Sequence, residues 1–115
     1  MVESSKKVKP WRDSVAWAGI DAQYRLPFKG PVRCEIVFSL RRPKSAPKRV
    51  LWPSKKPDLD KLVRSTMDGI TSGGVWEDDA LCVELSSRKV FAGGPDKDAL
   101  PVPGAVIRVW EVEAC

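Results

Sequence analysis

The clearest element in the sequence is an amphipathic helix, predicted from Pro57-Asp58 to the Ser72-Gly73-Gly74 stretch that ends it. Acidic residues are favoured in the first turn of a helix, and Asp58 and Asp60 stand there. One side of this helix is apolar at helical spacing and consists of Leu59, Leu62, Val63, Met67 and Ile70. The other side is polar and carries Asp60, Lys61, Arg64 and Asp68. Such a helix requires a second layer of structure to cover its apolar stripe.

The segments around this helix predict three strands and one more helix. Residues 32–40 alternate between apolar and polar side chains, as a half-buried strand does. Further strands are predicted at about 80–91 and 105–112, and a helix at 9–25. The order predicts an α+β fold with a small mixed, mostly antiparallel sheet and two helices on one face, formed as one domain by residues 1–115.

The composition excludes several kinds of chemistry. The 115 residues include no histidine, which rules out Ser/His and Cys/His catalysis and imidazole-bound metals. The three cysteines match no zinc motif, and we expect Cys34 and Cys82 to be small buried strand residues and the terminal Cys115 to be frayed. There is no apolar stretch of membrane-spanning length and no secretory signal pattern. We therefore expect a cytoplasmic protein with no membrane partner.

The positive charge of the chain is concentrated in one segment. The net charge is +5, yet no acidic residue occurs from Ile36 to Pro57. The same stretch contains Arg41, Arg42, Lys44, Lys48, Arg49, Lys55 and Lys56. A polyanion such as DNA is attracted to such a segment because binding releases counterions. The alternative is a solvated, mobile loop that has no partner.

Acidic residues at both ends of the predicted helix are candidates for a catalytic site. Asp58 and Asp60 can turn toward one point if Asp58 is still extended where the helix begins. The alternative is that both only cap the helix and complement its dipole. The acidic run 77–79 favours a site, because it leads into the next predicted strand. Alternation along that strand puts Asp79 on the apolar side that faces the helix and Asp78 on the opposite side.

Asp58, Asp60 and Asp79 thus form an expected carboxylate cluster. Carboxylates held close together repel one another, and a divalent cation relieves that repulsion. Oxygen ligands without histidine suit Mg²⁺, for which we expect Mn²⁺ to substitute. Such an ion activates water and stabilises charge on a reacting phosphate. The cations beside the cluster, which are suited to the phosphate backbone, are Lys55, Lys56, Lys61 and Arg64.

Four stretches of this sequence are similar to a known family. They are Trp11-Arg-Asp13, Lys56-Pro-Asp-Leu-Asp-Lys-Leu-Val-Arg64, Met67-Asp-Gly-Ile70 and Gly74-Val-Trp-Glu-Asp-Asp79. Together they resemble the RusA family of phage and bacterial Holliday-junction resolvases. The resemblance implies a Mg²⁺-dependent site of Asp58, Asp60 and Asp79, and Arg64 stands where the family usually has a lysine. It also implies a homodimer in a bacterial or phage-infected cytoplasm. The family usually begins with a strand that we expect this chain to lack.

The sequence therefore predicts a Mg²⁺-dependent endodeoxyribonuclease of DNA recombination and repair, which resolves Holliday junctions by symmetric nicking. The predicted catalytic residues are Asp58, Asp60, Asp79 and Arg64, and the three aspartates are the predicted metal ligands. The predicted DNA-binding residues are Arg41, Arg42, Lys55, Lys56 and Lys61. Two alternatives remain open: a module that binds branched DNA without cutting it, and a broader nuclease for flaps or forks. Trp52 is a candidate for stacking on an unpaired base, whereas Trp76 and Trp110 are expected in the core.

Overall fold

The computed structural model describes residues 11–16, 18 and 27–112. The first helix, α1, comprises the described residues 11–16 and 18, and the rest of the helix predicted at 9–25 lies outside the described residues. The elements that follow are β1 (Val32–Leu40), α2 (Leu59–Ser72), β2 (Cys82–Phe91) and β3 (Gly104–Glu111). A short 3-10 helix, Asp79–Leu81, directly precedes β2. The predicted bounds of β1 are confirmed, and those of α2 differ only at its ends.

The sheet is mixed, with β1 in the centre and β2 and β3 at its edges. β1 and β2 are parallel, because the chain between them crosses over through α2 and returns to the same end of the sheet. β1 and β3 are antiparallel, with Ile36 opposite Ile107. The predicted α+β fold with a small mixed sheet is confirmed. Antiparallel pairing accounts for one of the two strand pairs, a smaller share than the sequence predicted.

Both helices pack on the same face of the sheet, as predicted. Alternation along β1 turns four residues into the core against the helices, each at most 2% exposed: Val32, Cys34, Ile36 and Phe38. Val15 of α1 and Ile70 of α2 meet them there. Trp76 is 1% exposed and donates its indole N–H to Thr71 Oγ1 at 2.6 Å, so its predicted core position is confirmed. Full burial of a large apolar side chain stabilises the fold by about 1.5–3 kcal/mol.

The two helices approach each other closely at Gly69. A Cβ atom at this position would lie 2.7 Å from Val15 Cβ and 2.8 Å from the backbone oxygen of Arg12. Polar contacts fix the same crossing: Trp11 Nε1 donates to Thr66 Oγ1 at 2.8 Å, and an Arg12 nitrogen lies 3.9 Å from an Asp68 oxygen. The glycine of the Met67–Ile70 motif is therefore required by helix packing.

An ion network covers the face of the sheet that points away from the helices. Arg88 on β2 binds both carboxylate oxygens of Asp96 at 2.9 Å and one oxygen of Asp98 at 3.0 Å. Arg108 on β3 donates one hydrogen bond to Asp98 at 2.7 Å and another to Glu35 on β1 at 2.8 Å. The Arg88 guanidinium lowers the pKa of Asp96 to about 2. The network fastens the 92–103 loop to all three strands.

The beginning of β2 differs from the prediction. The strand was expected from about residue 80, but it starts at Cys82, because residues 79–81 form the 3-10 helix. Asp79 therefore does not lie on the strand, and the alternation that assigned its direction does not apply to it. The turn replaces the strand because the Asp78 side chain accepts a hydrogen bond from the Ala80 N–H at 3.0 Å.

One predicted core residue is exposed, and the two described cysteines differ. Trp110 is 43% exposed, because β3 turns Val109 toward the helices and Trp110 to the opposite face. Cys34 is buried as predicted, and burial raises the pKa of its thiol to about 12, so it stays protonated. Cys82 is only partly buried, and Cys115 lies outside the described residues.

Candidate active site

The start of α2 leaves the Asp58 carboxylate available. Asp58 is the N-cap, with φ −71° and ψ 138°, and its backbone carbonyl accepts the Leu62 N–H at 3.1 Å. Its side chain accepts no capping hydrogen bond from the helix, which removes the simple capping alternative for this residue. One carboxylate oxygen lies 3.7 Å from Lys61 Nζ, and the Asp58 side chain is 47% exposed. It is therefore open to a ligand.

Asp78 builds the turn that presents Asp79. Its carboxylate accepts the Ala80 N–H, and its backbone carbonyl accepts the Leu81 N–H at 3.1 Å. Phe28, which forms an isolated bridge with Trp76, holds the preceding segment in place. Sequence reasoning left Asp78 without a structural role. The sequence did contain a signal for this turn, because an aspartate side chain often accepts a hydrogen bond from the backbone N–H two residues later.

Asp60 and Asp79 come together in a groove between α2 and β2. This α2–β2 groove has a volume of about 620 Å³. It is lined by Leu59, Asp60, Val63, Arg64, Met67, Asp79, Leu85 and Ser87. Asp60 and Arg64 share a face of α2 because they are one helical turn apart. The structure thus brings three of the four predicted catalytic residues into one groove, and Asp58 is not among its lining residues.

Negative charge gathers around Asp79. Its pKa is raised, first by a hydrogen bond with the Asp78 side chain, then by burial and by the charges of Asp78 and Asp68. Sequence reasoning placed Asp68 on the polar face of α2 but gave it no part in the site. The sequence did contain a signal for Asp68, because it lies four residues after Arg64 and residues four apart share a helix face. Carboxylates crowded in this way favour binding of a cation.

The donor atoms of this site fit a hard divalent cation in their chemistry, since all are carboxylate oxygens. Across residues 11–16, 18 and 27–112, however, no three acidic or cysteine side chains are grouped closely enough to hold one ion. Asp58, Asp60 and Asp79 are therefore not gathered around one point. The ion pair between Asp58 and Lys61 is weak, because an ion pair between half-exposed side chains contributes at most about 1 kcal/mol.

The predicted DNA-binding cations fall into two groups. Arg41, Lys55 and Lys56 have exposed side chains. Arg42 instead holds its own loop: its guanidinium donates to the carbonyls of Val50 at 2.8 Å and Pro47 at 2.5 Å, and it lies 4.7 Å from the centroid of the Phe91 ring. Lys61 similarly faces Asp58. In this structure Arg42 therefore contacts the backbone of its own loop, and Lys61 contacts a predicted metal ligand.

Lys89 is a candidate residue that sequence reasoning missed. Its ammonium group on β2 donates to the carbonyls of Lys55 at 2.9 Å and Pro57 at 3.0 Å. These bonds fasten the end of the basic segment to the sheet directly ahead of Asp58. Only the tertiary structure shows this, because 32 residues separate Lys89 from Pro57 and no local pattern links them.

Comparison with known proteins defines the class of this chain as an endodeoxyribonuclease. The family model described as endodeoxyribonuclease RusA matches residues 1–97, which contain α1, β1, α2, β2 and the α2–β2 groove. The chain belongs to the RusA family, which is one of Holliday-junction-resolving endonucleases that act on branched DNA. The resemblance of the sequence motifs is thereby confirmed. No curated protein matches the sequence. No helix among the described residues is both long and apolar enough to cross a membrane.

Proposed function

We propose that this chain resolves four-way DNA junctions by symmetric nicking, with Mg²⁺ held by Asp58, Asp60 and Asp79 and with Mn²⁺ able to substitute. The observation that carries this proposal is that Asp60, Arg64 and Asp79 line one groove of about 620 Å³. Family membership supplies the reaction class and the branched substrate. A divalent cation, when bound, supplies activation of water and neutralisation of charge at the scissile phosphate.

Each residue of the site has a proposed part. Asp60 on α2 and Asp79 in the 3-10 helix offer oxygens to the groove from two different elements. Asp58 joins them by leaving Lys61, at a cost of at most about 1 kcal/mol for this half-exposed pair. Lys61 is then available to the phosphate backbone. Arg64 can hold one phosphate through two nitrogens, a geometry that lysine lacks.

The surface around the groove supports binding of DNA. The exposed side chains of Arg41, Lys55 and Lys56 belong to the basic segment that leads into Asp58. Their charge favours a polyanion in a manner that depends on salt concentration. We therefore assign them to the arms of the junction, with the scissile phosphate in the α2–β2 groove.

We also propose a homodimer in the cytoplasm that acts in DNA recombination and repair. A four-way junction is cut on two strands related by a two-fold axis, and a two-fold dimer presents two matching grooves. The exposed side chains on the edge strands, Val83 at 63% and Trp110 at 43%, are compatible with such contacts. A single domain over residues 1–115 also stays a prediction, because the structure describes only residues 11–16, 18 and 27–112.

The test is cleavage of an end-labelled four-way junction, beside a linear duplex of the same sequence. We expect paired nicks at symmetric positions of the junction, and only with Mg²⁺ or Mn²⁺ present. Asp60→Asn and Asp79→Asn should each slow cleavage by at least roughly 100-fold, the scale of losing one group that stabilises the transition state electrostatically. Glu77→Gln is the matched control, since it removes one exposed charge from the same acidic run outside the groove. Wild-type rates in both aspartate variants would remove the proposed site.

One observation favours the alternative of a branched-DNA-binding module without catalysis. Among the described residues, no three potential ligands are already grouped for one ion. Tight binding of the four-way junction with no cleavage in either Mg²⁺ or Mn²⁺ would establish that alternative. Equal cleavage rates on flaps, forks and four-way junctions would instead indicate a broader branched-DNA nuclease.

A further inference from the structure

Two large apolar side chains stand exposed in the most basic part of the chain. Leu51 is 69% exposed and Trp52 is 57% exposed. They belong to the basic loop, residues 41–57, which contains seven cations and no carboxylate: Arg41, Arg42, Lys44, Lys48, Arg49, Lys55 and Lys56. An exposed tryptophan forgoes the stabilisation of a buried ring. Its position among cations points to a partner that is both anionic and aromatic.

The basic loop is held in a defined shape on the side of Trp52 that leads back to β1. Arg42 spans the loop by donating to the carbonyls of Pro47 and Val50. The same guanidinium packs over the Phe91 ring at 4.7 Å, which ties the loop to the end of β2. The Val50 N–H also donates to the Pro47 carbonyl at 3.0 Å. Trp52 thus follows an anchored turn.

The side of Trp52 that leads toward α2 is anchored as well. Pro53 is buried, and the Ser54 N–H donates to the Trp52 carbonyl at 2.9 Å. Lys89 holds the carbonyls of Lys55 and Pro57. Because the backbone on both sides is fixed, the indole ring is presented to a ligand with little loss of conformational freedom on binding.

We propose that Trp52, with Leu51 beside it, is a stacking site for an unpaired nucleobase of branched DNA. The inference rests on the proposed function, which makes DNA the substrate. The surrounding cations attract the phosphates of any strand, but they do not distinguish paired from unpaired nucleotides. An aromatic ring does, since a base can stack on it only after leaving its own helix. Trp52 is therefore the element of this surface that senses a branch point.

The distance along the chain limits where that base can lie. Six residues lead from Trp52 to Asp58, which span at most roughly 20 Å when fully extended. With about 3.4 Å per base step of DNA, the stacked base lies within about six steps of a phosphate held by a cation that Asp58 binds. The proposal therefore couples recognition of an unpaired base near the branch to cleavage close to it.

The test compares two single strands of equal length and charge: an oligothymidine and an otherwise identical strand of abasic residues. Binding is measured in EDTA by fluorescence anisotropy of an end label, so that cleavage plays no part. We expect wild type to prefer the strand with bases on the order of tenfold, which is the scale of one base stacked on an aromatic side chain. Trp52→Ala should remove this preference, and Trp52→Tyr should retain most of it.

Two matched variants separate stacking from charge and from general effects of losing a tryptophan. Trp110→Ala removes a second exposed tryptophan, which lies on β3 outside the basic loop, and should keep the preference. Arg49→Ala should weaken binding of both strands equally and lower the salt dependence by about one phosphate contact. The proposal fails if Trp52→Ala keeps the preference, or if wild type has none.

Three further outcomes are informative. If wild type binds polyglutamate as tightly as oligothymidine and Trp52→Ala weakens both alike, the basic loop docks an acidic protein and the stacking proposal is overturned. A Trp52-dependent base preference without junction cleavage in Mg²⁺ would sustain the stacking site while removing the proposed function. Junction cleavage by a wild-type protein that has no base preference would sustain the proposed function and remove the stacking site.

Discussion

Replacing Gly69 by alanine tests the helix packing that supports the site. The added methyl group would lie 2.7 Å from Val15 Cβ and 2.8 Å from the Arg12 carbonyl oxygen, well inside the contact distance of about 3.5–4.0 Å. Neither atom can rotate away, because one is a Cβ and the other belongs to the backbone. Overpacking of this kind costs about 1–3 kcal/mol, whereas alanine gains about 1 kcal/mol over glycine within a helix. The difference between these two effects predicts that the free energy of unfolding falls by up to about 2 kcal/mol.

Gly30→Ala is the matched control for this substitution. Among the residues that the structure describes, no atom beyond its two chain neighbours lies within 4 Å of a Cβ at Gly30, and its φ lies outside the left-handed region. The control should therefore be neutral or gain about 0.4–1 kcal/mol, because alanine restricts the unfolded chain. Urea denaturation followed by tryptophan fluorescence gives both free energies. If Gly69→Ala proves as stable as Gly30→Ala, the close approach of α1 and α2 at this residue is wrong.

Two further predictions concern the anchor of the basic loop and the outer ion network. Lys89→Met removes both hydrogen bonds ahead of Asp58 and should lower the single-turnover rate of junction cleavage about 10- to 100-fold, because the Asp58 carboxylate is then misplaced. The control Lys29→Met, at an exposed site on another segment, should leave that rate unchanged. An equal rate in both variants would refute a positioning role for Lys89. Because Arg88 depresses the Asp96 pKa from 3.8 to about 2, the stability gained from their pairing is fully present above about pH 4 and is lost as pH falls through 2. Asp96→Asn should therefore have a lower urea midpoint than wild type at pH 5, and this gap should narrow as pH is lowered through 2. A constant gap would contradict the pairing.

Local patterns predicted the parts of this fold whose causes are local. The alternation from Val32 to Leu40 gave β1 its observed bounds, because every second side chain enters the core. The apolar stripe of α2 and the two glycines after Ser72 likewise defined that helix. The parallel pairing of β1 with β2 depends on the crossover through α2, which alternation within one strand does not contain.

Contacts between distant segments could not be predicted in the same way. Trp110 was assigned to the core on its residue type, yet its face is decided by the register of β3. Asp79 was assigned its direction from a strand that begins three residues later, after the turn capped by Asp78. The part of Arg42 in holding its loop depends on Phe91, which is 49 positions away in the sequence. Each of these outcomes depends on which segments meet in three dimensions.

The most direct test of the proposed metal-dependent nuclease is a crystal structure of the wild-type protein soaked with Mn²⁺, with the ion located by its anomalous signal. We predict one Mn²⁺ in each α2–β2 groove, bound by oxygens of Asp58, Asp60 and Asp79 at about 2.0–2.2 Å, close to the distances of hard divalent ions. The Asp58 carboxylate should then have left Lys61, from which it now lies 3.7 Å away. Binding of the ion outside this groove, or an empty groove at saturating Mn²⁺, would contradict the assignment of the three aspartates as a metal site.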